Sequence, residues 1–294
     1  MFSQIWQQKD ILLQGQFDKP WRSVDWSDGE KQTLLRKLHD FETGNPEVSS
    51  LRILLHGPVG AGKSSFINSV DSSLRGRTTT RALADSAVGT SFTLAYKEYK
   101  LKKERTGSFF PFMFADLRGF EEDCGLGIKT TDVIKTLNGR VKNGYVFNPN
   151  THITKDDTLY NKDPSLSDKV HCLVGIFPTD KISLIGENTI RKMREIREDA
   201  QKLGIPQVII MTKVDAACPL VKEDLQNIYK SKTIKEKMEL CSVKLGIPVN
   251  CIYPVKNYHE EDATNTSMDI LILKALQHVV NFANDYVEYM VVDK

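Results

Sequence analysis

The sequence predicts a doubly wound α/β fold, a mostly parallel sheet with helices on both faces. Three observations predict it. Short apolar runs recur at 51–56 (LRILLH), 170–177 (VHCLVGIF), 207–211 (QVIIM) and 249–253 (VNCIY), the near-continuous hydrophobicity of strands buried on both faces. Helical stretches at 63–74, 186–203, 222–245 and 267–290 separate or follow these runs. A glycine-rich turn joins the first run to the first helix, and in such sheets ligands bind beyond the carboxyl ends of the strands.

Residues 1–50 hold all three tryptophans, Trp6, Trp21 and Trp26, and are expected to form a helical extension docked on a domain that fills 51–294. Ser27 and Glu30 have the spacing of a capping box and open a helix with Leu34, Leu35, Leu38 and Phe41 on one face. "TGNPEVSS" ends it and leads to the first core strand. The runs at 92–101 and 109–115, joined by "KKERTGS", predict an antiparallel hairpin. Residues 139–168, rich in Asn, Asp, Pro and Thr, lack periodicity and read as an insertion, either a flexible surface loop or a functional one. The last helix carries Ile270, Leu273, Val279, Phe282, Ala283, Tyr286 and Met290 near one side and is expected to cover the sheet.

The 294 residues are 40% hydrophobic, enough for a full core, and their formal net charge is +2. That balance carries no electrostatic footprint for specific nucleic acid or an anionic membrane. The five cysteines, Cys124, Cys172, Cys218, Cys241 and Cys251, are scattered without metal-like spacing, which fits a reduced, cytoplasmic compartment. No apolar run approaches membrane-spanning length, so no integral membrane association is expected.

"GPVGAGKS", residues 57–64, matches G-x-x-x-x-G-K-[ST]. Backbone N–H groups can turn inward around a phosphate only where no side chain obstructs them, hence Gly57, Gly60 and Gly62. With Ala61 and Ser65 these line a cradle whose helix adds its positive N-terminal end. Lys63 supplies a point charge to the β- and γ-phosphates, and the Ser64 hydroxyl ligates Mg²⁺. Asp116-Leu-Arg-Gly119 follows "FFPFMF" in the form D-x-x-G: Asp116 would hold Mg²⁺ and the Gly119 amide would sense the γ-phosphate. Thr212-Lys213-Val214-Asp215 has the form [NT]-K-x-D. A carboxylate at Asp215 accepts from guanine N1–H and its 2-amino group. Adenine offers neither, and sites of this kind discriminate by ~10⁴-fold or more. The Lys213 stem would cover the base face. In "YPVKNYHEE", Lys256 and Asn257 are candidates for a loop whose backbone N–H meets guanine O6 and whose Lys lies against the base, a plain polar loop being the alternative. The threonine that completes the Mg²⁺ site is read as Thr90, with Thr93 second.

In order and spacing, GPVGAGKS, DLRG and TKVD resemble the guanine-nucleotide-binding (G) domain of the P-loop GTPases, over residues 51–290. At finer grain, "PWRSVDW", "RILLHGPVGAGKSSFINSV", "DLRGFEE" and "PVKNYHEE" resemble the interferon-induced protein 44 family. The resemblance implies a cytosolic, interferon-inducible GTP-binding protein of antiviral innate immunity, with GTP or GDP and Mg²⁺ as ligands. Larger members carry an N-terminal TLDc domain, for which residues 1–50 leave no room, so a short form is expected. Small signalling GTPases place a water-positioning Gln after D-x-x-G, where this chain has Phe120, and usually a Gly where it has Val59. Slow hydrolysis is therefore expected, helped by a nucleotide-dependent homodimer or a protein partner, with Arg75, Arg77 and Arg81 as candidate trans-acting groups. The rival reading is a non-hydrolysing scaffold that bound nucleotide stabilises.

Overall fold

The computed structural model describes residues 15–80, 82, 95–104, 106–117 and 128–292. Its strands are β1 (Leu51–His56), β2 (Tyr96–Lys102), β3 (Phe109–Leu117), β4 (Cys172–Pro178), β5 (Gln207–Thr212) and β6 (Ile252–Pro254). They form one sheet in the order β2-β3-β1-β4-β5-β6. β2 runs antiparallel to β3, as the hairpin pattern predicts, and every other pairing is parallel. All six residues of β1 are buried. From β1 the chain goes to the edge strand β2, returns through β3 beside β1, then crosses to β4 on the other side of β1. Strand order therefore reverses at β1, the kind of position outside whose carboxyl end open α/β sheets bind ligands.

The helices are α1 (Asp28–His39), α2 (Lys63–Arg75), α3 (Thr130–Leu137), α4 (Glu187–Lys202), α5 (Val214–Ala217), α6 (Pro219–Glu223), α7 (Lys232–Leu245) and α8 (Thr266–Val292). α2 and α8 pack together on one face of the sheet; α3, α4 and α7 form the other layer. α8 is buried on more than one side (Leu271, Ile272, Ala275, Leu276 and Val280 as well as the expected stripe) because α1 lies along it with Leu34 and Leu38 turned inward.

Three expectations need correction. The helix expected over 222–245 is broken: Asp224 caps a short 3₁₀ turn through Gln226 N–H, and Ser231 caps α7 by accepting from Ile234 N–H at 3.2 Å. Two side chains that compete for backbone N–H groups stop the helix, as such residues do. The capping box of α1 is half formed. Ser27 Oγ accepts from Glu30 N–H at 3.2 Å, but the Ser27 N–H goes to Asp25 and the Glu30 carboxylate pairs with Lys274 of α8 at 2.8 Å. Residues 139–168 are irregular yet anchored, with Val141, Phe147 and Ile153 buried in the core. Isolated bridges tie Val141 to Tyr160 and Val146 to Ala95.

The N-terminal residues that are described dock on the sheet edge. Trp21 meets Tyr229 edge-on at 5.1 Å, and Arg22 donates to the carbonyls of Ile252 and Val249. Trp26 is half-buried; Trp6 lies outside the described residues. Among the described residues no helix is long and apolar enough to cross a membrane.

Two buried histidines make the fold acid-sensitive. His171 Nδ1 accepts from Arg52 N–H at 2.8 Å and Nε2 lies 2.9 Å from Leu166 O, so the Nε2–H tautomer satisfies both ends. Burial pushes His171 down to about 4, and burial with the Lys63 charge pushes His56 down to about 3. Both stay neutral when folded and take up a proton on unfolding below about pH 6.5, so stability is complete above that pH and falls as pH drops towards the folded values. The expected loss is about 2 kcal/mol per histidine by pH 5. Urea midpoints measured at neutral pH and near pH 5 check this, and equal midpoints would contradict it.

Candidate nucleotide-binding site

The loop between β1 and α2 has the geometry its glycines demand. Gly57 has φ 145°, and a Cβ there would sit 2.2 Å from the backbone oxygen of Ile176 in β4. Only glycine lets the chain leave β1 this close to its neighbour. Gly62, at φ 92°, is the N-cap of α2 and offers no capping side chain. The first N–H groups of a helix have no intrahelical acceptor, so the loop presents donors and the positive helix end together. Lys63 Nζ curls back over the loop, donating to Gly57 O at 2.9 Å and Pro58 O at 3.1 Å. Ala61 and Ser64 are buried, Ser65 is half-buried, and Gly60 and Val59 are on the exposed rim.

Asp116, near the end of β3, pairs in register with Leu55 of β1 and is fully buried. Gly119 and Phe120 beyond it, and Thr90, Thr93 and Arg81, lie outside the described residues. Among the described residues no cluster of three His, Cys, Asp or Glu side chains could hold a metal ion. A hydroxyl and one carboxylate instead suit Mg²⁺, which keeps several waters and takes phosphate oxygens. Ser64 and Asp116 would hold it, and an obstruction-free glycine loop suits the phosphates. Arg75 pairs with Asp71 at 3.0 Å and with Glu104 at 3.4 Å, and Arg77 pairs with Glu104 at 2.8 Å. Both arginines are thus held within the chain.

The residues expected on the base side come from the ends of β5 and β6. Thr212 is buried and its hydroxyl donates to Ala61 O at 2.6 Å, joining this end of the site to the phosphate loop. Lys213, at φ 56°, is the sole non-glycine with positive φ among the described residues. A left-handed lysine carries local strain, which clusters at functional sites. It starts α5, whose first turn holds the half-buried Asp215. Lys256 pairs with Glu261 at 2.8 Å. Burial opposes ionisation of Glu261, but hydrogen bonds from Lys256 and the His259 N–H outweigh it and bring the carboxyl down to about 2.

Asn257 turns towards the phosphate loop, with Nδ2 donating to Gly62 O at 3.2 Å. Sequence reasoning passed over three further residues. Asn68 grips both backbone groups of Ala82 at 2.7 Å, Ser69 Oγ accepts from Tyr258 N–H at 2.9 Å, and Thr212 acts through its hydroxyl. The available signal was α2 itself, where "NSVDSS" puts polar residues in a helix that is buried all round.

No family model matches the chain. Interferon-induced protein 44 from Homo sapiens is 34% identical over 258 residues, covering 88% of this chain and 58% of that protein. Interferon-induced protein 44-like from Homo sapiens is 33% identical, covering 88% and 57%. The Mus musculus interferon-induced protein 44 is 33% identical over 261 residues, covering 89% and 61%. Among solved structures, Toc33 from Arabidopsis thaliana in complex with GDP and Mg²⁺ superposes with a TM-score of 0.46 at 11% identity, covering 87% of this chain and 91% of that one. A probable GTP-binding protein engB gives 0.45 at 11%, covering 80% and 99%. The chain thus spans about three fifths of the length of the curated relatives it matches, and by that sequence identity it belongs to the interferon-induced protein 44 family.

Proposed function

We propose that the chain is a cytoplasmic, Mg²⁺-dependent guanine-nucleotide-binding protein that hydrolyses GTP slowly and acts in interferon-induced antiviral defence. One observation carries the nucleotide reading: the TKVD segment is bonded to the GPVGAGKS loop through Thr212 Oγ1 and Ala61 O at 2.6 Å. That bond supports reading the TKVD segment and the glycine loop as the base and phosphate ends of one site, near the reversal of strand order. In this reading the Gly60–Ser65 backbone and Lys63 bind phosphates, Ser64, Thr90 and Asp116 serve Mg²⁺, Gly119 meets the γ-phosphate, and Lys213 and Asp215 select guanine. Mg²⁺, when bound, would neutralise charge on the phosphate oxygens. Asp215 orients the base, and the buried loop excludes water from the Lys63 contacts. The cellular role rests on the name of the relatives, and slow turnover rests on Phe120 and Val59.

Asp215 decides the base. In Asp215→Asn an amide replaces one acceptor by a donor, so GTP affinity is expected to fall by ~10²-fold or more while xanthosine triphosphate, with a keto group in place of guanine's amine, binds better. Calorimetry with both nucleotides checks it. Unchanged GTP affinity would remove TKVD from the site.

A further inference from the structure

We propose that Asn257 is a positioning residue which, with Thr212, aims the phosphate-binding N–H groups of Gly62 and Lys63; the inference rests on the nucleotide reading above. Sequence alone makes Asn257 a candidate for the loop that meets the base. Its amide instead reaches the loop on the other side of the site, with Nδ2 3.2 Å from Gly62 O. Gly62 O is purely an acceptor, which fixes the orientation of the amide. Thr212 Oγ1 donates to the preceding carbonyl, Ala61 O, at 2.6 Å. A Cβ built on Gly62 would lie 3.0 Å from Asn257 Nδ2 and 3.6 Å from Thr212 Oγ1, so both struts converge on this one residue.

Peptide planarity turns these two bonds into ligand geometry. In a trans peptide the C=O and the following N–H point in opposite directions. Holding Ala61 O sets the direction of the Gly62 N–H, and holding Gly62 O sets that of the Lys63 N–H. Gly62 has φ 92° and no Cβ, so its own backbone does little to fix either plane. The first hydrogen bond of α2, from Phe66 N–H to Gly62 O at 2.8 Å, constrains that carbonyl from one side only. Asn257 constrains it from the other. Its loop is firmly placed to do so, because the next residue, Tyr258, donates its N–H to Ser69 and its hydroxyl to Asp269.

The same amide is a poor choice for stability alone. Asn257 Oδ1 is buried with no hydrogen-bond partner among the described residues, and a buried orphan acceptor opposes folding. A side chain that gains little for the fold and aims two donors fits a role in binding. Asn257 also ties the loop after β6 to the phosphate loop, so loss of either contact is felt at the other.

The test is calorimetry of GDP, GTP and xanthosine triphosphate on wild type, Asn257→Ala and Thr212→Val, with urea midpoints of nucleotide-free protein alongside. Asn257→Ala is expected to weaken GDP about tenfold, the effect of one well-placed hydrogen bond. The ratio of GTP to xanthosine triphosphate affinity should stay at the wild-type value, and the nucleotide-free midpoint should stay unmoved. Thr212→Val, which keeps the side-chain shape, should weaken GDP in the same way. Unchanged GDP affinity in both variants overturns the inference while leaving the nucleotide reading intact. A changed base ratio in Asn257→Ala makes the residue a base reader, and a matching fall in the nucleotide-free midpoint makes it merely structural; either result overturns the inference. A wild type that binds none of the three nucleotides overturns the nucleotide reading itself, and the inference with it.

Discussion

Lys31→Met is expected to cost about 3–5 kcal/mol of folding stability, because it leaves a buried carboxylate without its cation. Lys31 projects from α1 and its Nζ lies 2.7 Å from Asp269 Oδ2 in the first turn of α8; their side chains are 14% and 0% exposed. The other oxygen of Asp269 accepts from the Tyr258 hydroxyl at 2.8 Å. The helix end favours a negative charge there, yet contributes only about 0.3–1 kcal/mol in most settings. Burial decides the size of the effect. Lys202 and Asp199 are equally close at 2.8 Å, but Lys202 is 73% exposed, and breaking that pair should cost at most about 1 kcal/mol. The double variant Lys31→Met with Asp269→Asn removes both charges and keeps an acceptor for Tyr258, so it should recover most of the loss. Urea unfolding with unchanged slope measures all three. A loss below about 1 kcal/mol in Lys31→Met would mean that Asp269 is solvated as a surface charge is.

That pair also shows where the sequence stops being informative. β1 was legible at both ends, since six apolar-lined residues stop at a glycine that must pass close to Ile176. The mostly parallel sheet and the antiparallel hairpin were legible from the same patterns, but the order of the strands was not. α3 was not legible: its eight residues bury only Val133 and Leu137 of the large apolar type, too short a stripe to establish a period. The break at Ser231 was hidden because serine is tolerated within helices and caps them equally well. For the candidate site, residue type and spacing pick out Lys63, Asp116 and Asp215 and suggest the chemistry proposed for them. The destination of Asn257 could not. Its bond to Gly62 spans 195 positions, and no local pattern encodes which way a loop side chain turns. No local pattern marks Lys31 and Asp269 as a pair, since its burial depends on α1 lying along α8.

Lys63→Ala is expected to abolish detectable binding of nucleoside triphosphate, and with it the thermal stabilisation the nucleotide confers. The side chain is 7% exposed and its ammonium is held by Gly57 O and Pro58 O, both carbonyls of the loop it would serve. A carbonyl oxygen is a weaker acceptor for an ammonium than a phosphate oxygen is, since hydrogen bonds between ionised groups are roughly twice as strong as neutral ones. The lysine therefore gains on ligand binding what alanine cannot. A ligand that binds only the native state stabilises it by RT ln(1 + [L]/Kd), about 2.7 kcal/mol at a hundredfold excess over Kd. For a domain of this size that corresponds to a rise in Tm of roughly 5–10 °C. Wild type should show this shift with GTP and Mg²⁺ but little with ATP, and Lys63→Ala should show none with either. The nucleotide-free Tm of the variant separates the two effects of the substitution. Losing the bonds of the ammonium lowers it, while sparing the desolvation of a buried charge raises it, so it should stay within a few degrees of nucleotide-free wild type. A variant that melts with wild type when both are nucleotide-free, yet ignores GTP, assigns Lys63 to the ligand. A wild type that gains nothing from GTP and Mg²⁺ at any concentration would leave the loop between β1 and α2 as a phosphate cradle in shape alone.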